Sequence, residues 1–306
     1  MYNEALNELP TGQKNAHLDD DFVMRVGIPH SSGRLAAHAF NEDFKCMVSA
    51  SAFWNRSKRE FHMPEATDLS EVDFALDSAG YTGILNFRRN GRQEGIAGVF
   101  PWSFSQYMEF ANLSGCSWYS QADLCCEKNI ANDRQAIEYH VRATATLLEG
   151  MLQILYAWQN ELARTCNSTV VANMLRPPVP VLQGRVLSDY MLSLDLLNEV
   201  WGRWEGWLDK PALIGVGSMC RRDLHDRDEG LYAIVEALGQ RSTAKQFPLQ
   251  LMPAAPDFQG AGFLSRQDAS FFVRPHRTAS HRLSPPTFGI EPQTCSRHPT
   301  LNGSCN

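Results

Sequence analysis

The stretch VDFALDSAGYTGIL, residues 72–85, reads as a buried strand that stops on a carboxylate. Val72, Phe74 and Leu76 alternate with small or polar residues, the period of extended backbone. Asp77 stands where that strand should end. Ser78, Ala79 and Gly80 follow, too small to cover it, and then comes an aromatic, Tyr81. A carboxylate left open at a strand mouth suits a site assembled from strand ends. Asp after a strand also serves as a turn former or helix cap, so the neighbouring strands must decide between the two.

The same unit recurs along the chain. FKCMVSASAF (44–53), GCSWYSQADLCCE (115–127), PVPVLQG (178–184) and PALIGVGSMC (211–220) are further strand candidates. Pro177, Pro178 and Pro180 fix the entrance of the third of these, and Gly184 ends it. Between them lie helical patterns at 132–164, 188–208 and 226–240. Asn132 or Asp133 can cap the first helix, in which Ile137, Val141, Leu148, Leu152 and Leu155 fall near helical spacing. Near-continuous apolar strands alternating with helices predict a parallel sheet covered by helices. One repeated unit in one chain favours a (β/α)8 barrel of the TIM type, in which active groups sit at the C-terminal ends of strands. Asp77 is at such an end. So are Asp123 and Glu127, Gln183, and the group Gly215, Gly217 and Ser218. The pattern fails after about Gln240, where Pro, Ser, Arg and His predominate, so the barrel is expected to be incomplete at its C-terminal end. The expected division is a polar lead-in over 1–44, a barrel domain over 45–240 and an irregular tail over 241–306.

Bulk composition narrows the function classes. The 306 residues carry 43% hydrophobic and 20% charged side chains, which allows a sizeable core. A net charge of −6 gives no general attraction to nucleic acid, so such contact needs a local basic patch. No segment has the length of a membrane span, and residues 1–22 lack the apolar centre of a signal peptide. Eight cysteines, including the tandem Cys125-Cys126, read as reduced thiols in a cytoplasm. Cys220 with His225 and Asp226 fits no common metal spacing, and Cys295, His298 and Cys305 are one ligand short, so neither a metal nor a cofactor is expected. Trp201, Trp204 and Trp207 fall three apart on one helix and read as packing. Arg221-Arg222 is by default a solvated pair, though at a barrel mouth it could meet a phosphate.

The strand-end groups share one competence, recognition of a planar polar heterocycle. Carboxylates accept from ring N–H and amino groups, a carboxamide faces either kind of edge, and glycine N–H groups reach a carbonyl unobstructed. Tyr81 offers a stacking face.

At these residues the chain resembles a known family. LDSAGYT (76–82) is similar to the DSGGF segment of tRNA-guanine transglycosylases. ADLCCE, PVPVLQG and IGVGSMCRR together resemble their DNA-acting relatives, the DeoxyPurine in DNA protein A group, over roughly residues 45–240. The resemblance implies exchange of guanine in DNA for a 7-deazaguanine base such as preQ0. It makes Asp77 the residue that assists exchange and Tyr81 the stacking aromatic. Asp123 would read the amino and ring N–H edge. Gln183, in its QG motif with Gly184, and the backbone around Gly215 to Gly217 would face the base carbonyl. Ala79 replaces the first glycine of the family motif. No segment after Gln240 matches the strand that carries the family's nucleophilic aspartate, and the family's zinc cluster has no counterpart, so weak or absent exchange is expected. The alternatives are a non-catalytic relative that binds a purine or DNA, and a barrel enzyme for another small polar substrate.

Overall fold

Six successive stretches of the chain lie side by side and parallel, each hydrogen-bonded to the next in sequence. The computed structural model describes residues 25–166, 175–208, 213–219, 222–244, 249–250 and 271–275, all within the first of two units, residues 1–276. Strand β1 (Val26–Ile28) and helix α1 (Arg34–Asn41) lead to β2 (Cys46–Ser49), which pairs with β1 so that Val26 faces Cys46. A hairpin, β3 (Trp54–Asn55) with β4 (Glu60–Phe61), precedes β5 (Phe74–Asp77), which pairs with β2 and sets Asp77 opposite Ser49. Helices α2 (Gly80–Asn90) and α3 (Phe104–Leu113) follow. The ladder then continues through an extended stretch: Leu76 N–H donates to Trp118 O at 3.0 Å, and Ser120 N–H to Leu76 O at 2.9 Å. Helix α4 (Arg134–Leu162) leads to β6 (Val181–Leu182), where Gln121 N–H donates to Val179 O at 2.9 Å. Helix α5 (Leu187–Trp204) leads to β7 (Ile214–Val216), parallel to β6, and α6 (Leu231–Ala244) comes next.

The result is a mixed helix-and-sheet fold with short parallel strands. The expected barrel is not closed among the described residues. β1 is the terminal strand of the ladder at one side. At the other, β7 pairs antiparallel with β9 (Phe271–Pro275), which in turn pairs antiparallel with β8 (Leu249–Gln250). Two boundaries therefore differ from the sequence reading. The sheet starts at Val26 rather than near residue 45, because a three-residue strand is too short to show a period. The stretch taken as irregular from 241 contains two strands, and the FFV at 271–273 has the side chains that favour extended backbone. The rest of that tail lies outside the described residues.

Local chemistry explains the elements that were expected. Asp133 caps α4, its Oδ1 accepting the Ala136 N–H at 2.8 Å. Ile137, Val141, Leu148, Leu152 and Leu155 of that helix are all buried, facing α5 and the sheet. Phe74, Ala75 and Leu76 are all buried, so β5 is covered on both faces, as parallel strands are. Of the three tryptophans, Trp201 packs in the core, Trp204 is half-buried with its N–H on Glu149, and Trp207 is exposed beyond the helix.

The end of the sheet opposite Asp77 is tied by charge. The Arg25 guanidinium donates to both Asp73 carboxylate oxygens, at 3.0 and 3.2 Å, and to the carbonyls of Cys46 and Asp73. Burial pulls the Asp73 carboxyl upward, but Arg25, Ser117 and Lys45 outweigh it and hold the group below the ordinary carboxylate value. A depressed folded-state pKa contributes stability that is present above the unfolded value of about 3.9 and is lost as pH falls through the folded one. Urea midpoints should therefore drop below about pH 4 in the wild type. The drop should be smaller in Asp73→Asn, and equal slopes in the two proteins would dismiss the pair as a source of acid sensitivity.

Candidate functional site

Four neighbouring parallel stretches deliver their C-terminal ends to one place: β5 with Asp77 and Ser78, the 117–123 stretch with Ser120 and Asp123, β6 with Gln183, and β7 with Gly217 and Ser218. A buried polar chain joins them. Ser78 Oγ donates to Asp123 Oδ1 at 2.5 Å. Gln183 Nε2 donates to Asp123 Oδ2, and Ser218 Oγ donates to Gln183 Oε1 at 2.6 Å. Ser218 Oγ itself accepts the Cys126 N–H at 2.6 Å. Ser78, Asp123, Gln183 and Ser218 are all buried. Beside them, Ser120 Oγ accepts the Ser78 N–H at 2.9 Å, and Tyr107 OH donates to Ser120 O at 2.9 Å.

Burial pushes the Asp123 carboxyl above the ordinary carboxylate range, while the Ser78 and Gln183 hydrogen bonds favour its ionised form. The carboxyl group is thus desolvated, with both oxygens already paired.

Close backbone approach makes this packing possible. A Cβ on Gly80 would lie 2.4 Å from Asp123 O and 3.0 Å from its Oδ1. A Cβ on Gly217 would lie 2.2 Å from Gln183 Nε2. Two non-glycine residues flanking the cluster, Ala79 at φ 67° and Ser218 at φ 57°, hold left-handed backbone. Such residues cost of order 1–3 kcal/mol each and persist only where surrounding structure fixes them.

No family model, curated protein or solved structure matches this chain. The site must therefore be read from its own residues.

Of the residues expected from the sequence, Asp123 and Gln183 are brought into direct contact, and Asp77 ends the adjacent strand. Asp77 Oδ2 accepts the Ala79 N–H at 2.9 Å, so it also forms the turn into α2. Tyr81 lies at the start of α2, half-buried, with its hydroxyl accepting from Asn129 Nδ2 at 2.8 Å. The glycines act differently from expectation. Gly215 N–H donates to Pro180 O at 2.7 Å and Gly217 N–H to Leu182 O at 2.9 Å, so the parallel ladder takes both donors that were assigned to a base carbonyl. Gly217 instead gives Gln183 its room. Gly184 serves packing, since a Cβ there would lie 2.7 Å from the Asp189 Cβ.

Arg222 is half-buried and tied into the chain rather than standing as a free surface charge. Its guanidinium donates to the carbonyls of Gly184, Arg185 and Glu229 and lies over the Tyr190 ring. It clamps the loop that follows Gln183. Asp189, fully buried, holds the same loop by accepting the Arg185 and Val186 N–H groups at 3.0 and 3.1 Å. Arg221, Cys220, Cys295, His298 and Cys305 lie outside the described residues. Among the described residues no group of three or more side chains could hold a metal ion, and no helix is long and apolar enough to cross a membrane. Cys125 and Cys126 are buried, and burial raises both thiols, Cys126 to about 12, which keeps them neutral.

Ser78 and Ser120 escaped the sequence reading. Their signal is a repeat: a serine falls at or just past the end of an apolar run in ALDS, WYS and GVGS.

Proposed function

We propose that the chain is a transglycosylase-like protein whose strand-end cluster takes guanine or a 7-deazaguanine base, with DNA as the acceptor. The observation that carries the reading is the buried contact between Asp123 and Gln183. It sets a carboxylate acceptor beside a carboxamide N–H donor, the complement of a lactam edge in which a ring N–H adjoins a carbonyl. Asp77, which ends the adjacent strand, is assigned the proton transfer in this reading.

We propose for the fold an incomplete (β/α)8 barrel. Six parallel strands in strict chain order, wound in one direction, match the course of an incomplete (β/α)8 barrel, whereas an open doubly wound sheet reverses its order. The site then lies on the face of the fold where such barrels carry their chemistry.

In the exchange so proposed, a carboxylate oxygen bonds to the anomeric carbon while the bond from that carbon to the guanine nitrogen breaks. The electron pair leaves with the base, whose developing charge is held by the Gln183 amide and neutralised by a proton. The incoming 7-deazaguanine reverses these steps. Because no segment after Gln240 matches the family's nucleophile strand, base binding is expected to be stronger evidence of kinship than turnover. Calorimetry with preQ0 and incorporation of labelled preQ0 into duplex DNA test the two separately. Binding with weak exchange is the expected result. No binding of guanine or preQ0 would overturn the pocket, and robust exchange abolished by Asp77→Asn would show that a working nucleophile exists.

A further inference from the structure

We infer that Ser218 is a specificity-determining residue: it fixes the Gln183 carboxamide in one orientation and so makes the site select a 6-oxo over a 6-amino base. The inference rests on the base-pocket reading above and adds a residue and a discrimination to it.

The buried chain has few protons to share. A serine hydroxyl has one proton to give. Ser218 Oγ receives the Cys126 N–H at 2.6 Å, and its own proton goes to Gln183 Oε1, also at 2.6 Å. Gln183 Oε1 is therefore turned toward Ser218, and its NH2 group is turned toward Asp123. A carboxamide with no such anchor presents either end at little cost, and an Asp123 that has taken a proton could itself donate to a reversed amide. Ser218 opposes that reversal, because an amide turned round would donate to the remaining lone pair of Oγ and leave the serine proton without the acceptor it has here. Of the two N–H bonds on Nε2, one is directed to Asp123 Oδ2, and the other remains on the donor side of the amide. A carbonyl at position 6 of a purine-like base can accept from that side, whereas an exocyclic amino group meets it donor to donor.

The backbone supports the assignment. Ser218 is buried and sits at φ 57°, where glycine would be unstrained. A hydroxyl is thus held at a position whose conformation favours a residue with no side chain. The Gln183 amide packs into the space that a Cβ on Gly217 would occupy, 2.2 Å from Nε2.

Ser218→Gly is the discriminating variant, because glycine keeps the left-handed backbone conformation while it removes the hydroxymethyl group that carries the hydrogen bond. Calorimetric titration would use 7-deazaguanine and its 6-amino analogue, 2,6-diamino-7-deazapurine, with both proteins. Wild type is expected to favour the 6-oxo base by about 100-fold or more, as sites with oriented polar groups do. In Ser218→Gly that ratio should fall about tenfold, the effect of one hydrogen bond, with affinity for the 6-amino base held or improved. An unchanged ratio overturns the inference, and so does a parallel loss of both affinities, which marks a merely structural role. If wild type binds neither base, the pocket reading fails. The amide lock is then read alone by NMR: the Gln183 side-chain NH2 protons should be protected from exchange in wild type and lose protection in Ser218→Gly. Equal protection in the two proteins would dismiss the lock as well.

Discussion

Asp123→Ala is expected to lower affinity for guanine or preQ0 by about 30- to 1,000-fold. The figure follows from about 2–4 kcal/mol for a buried carboxylate that receives two N–H donors. The residue is buried, and its oxygens already accept from Ser78 and Gln183. Alanine leaves the Gln183 amide and the Ser78 hydroxyl without their acceptor, so the free protein should also lose stability, by about 1–3 kcal/mol for buried donors left unpaired. Titration calorimetry on both proteins, with urea unfolding as the control, separates the two. Equal affinities would remove Asp123 from the pocket.

Gly80→Ala should have the largest effect on the scaffold of the site. Its new Cβ would meet the main-chain oxygen of Asp123 at 2.4 Å, a contact between two backbones that no rotamer change relieves. Either α2 must draw away from the 117–123 stretch or that stretch must bend. Overpacking of this kind costs about 1–3 kcal/mol. Movement of either kind also separates Ser78 from Asp123, so base affinity should fall together with the urea midpoint. The neighbouring change Ala79→Gly supplies the contrast. Ala79 sits at φ 67°, which penalises any Cβ, and glycine there should leave the unfolding free energy unchanged or raise it by up to about 1 kcal/mol. A midpoint in Gly80→Ala equal to that of wild type would mean that the close approach is not required.

These two positions also show how far the sequence was legible. The strand at 74–77, the small residues after it and the long capped helix at 134–162 each carry a local signature, and each was read correctly in kind. Asp123 and Gln183 were placed at strand ends because their apolar runs are near-continuous. What could not be read was the pairing between them, since residues 60 apart in sequence meet only through the register of the ladder. The glycine donors were misassigned for a related reason. Whether a backbone N–H at a strand end is open or taken depends on how far the neighbouring strand extends, and that length is invisible in a run such as IGVGS. The first strand was missed because VGI is too short to show a period. Ser78 and Ser120 were missed because serine at a strand end is ordinarily a turn former, and only the crossing of several strands turns it into a network.

The order of the ladder has a consequence for how the chain is made. From Val26 to Val216 the parallel stretches pair in chain order, each with the parallel stretch that precedes or follows it. A chain leaving the ribosome N-terminus first can therefore complete β1 against β2, and β2 against β5, before the segment around Gln183 has been synthesised. The Asp123–Gln183 contact waits for β6, and its Ser218 anchor waits for β7. Nascent chains of increasing length should accordingly gain protease resistance in steps, and chains arrested before β7 is exposed should already protect the β1–β2–β5 portion. Competence to bind a base should arrive last, with the emergence of Ser218.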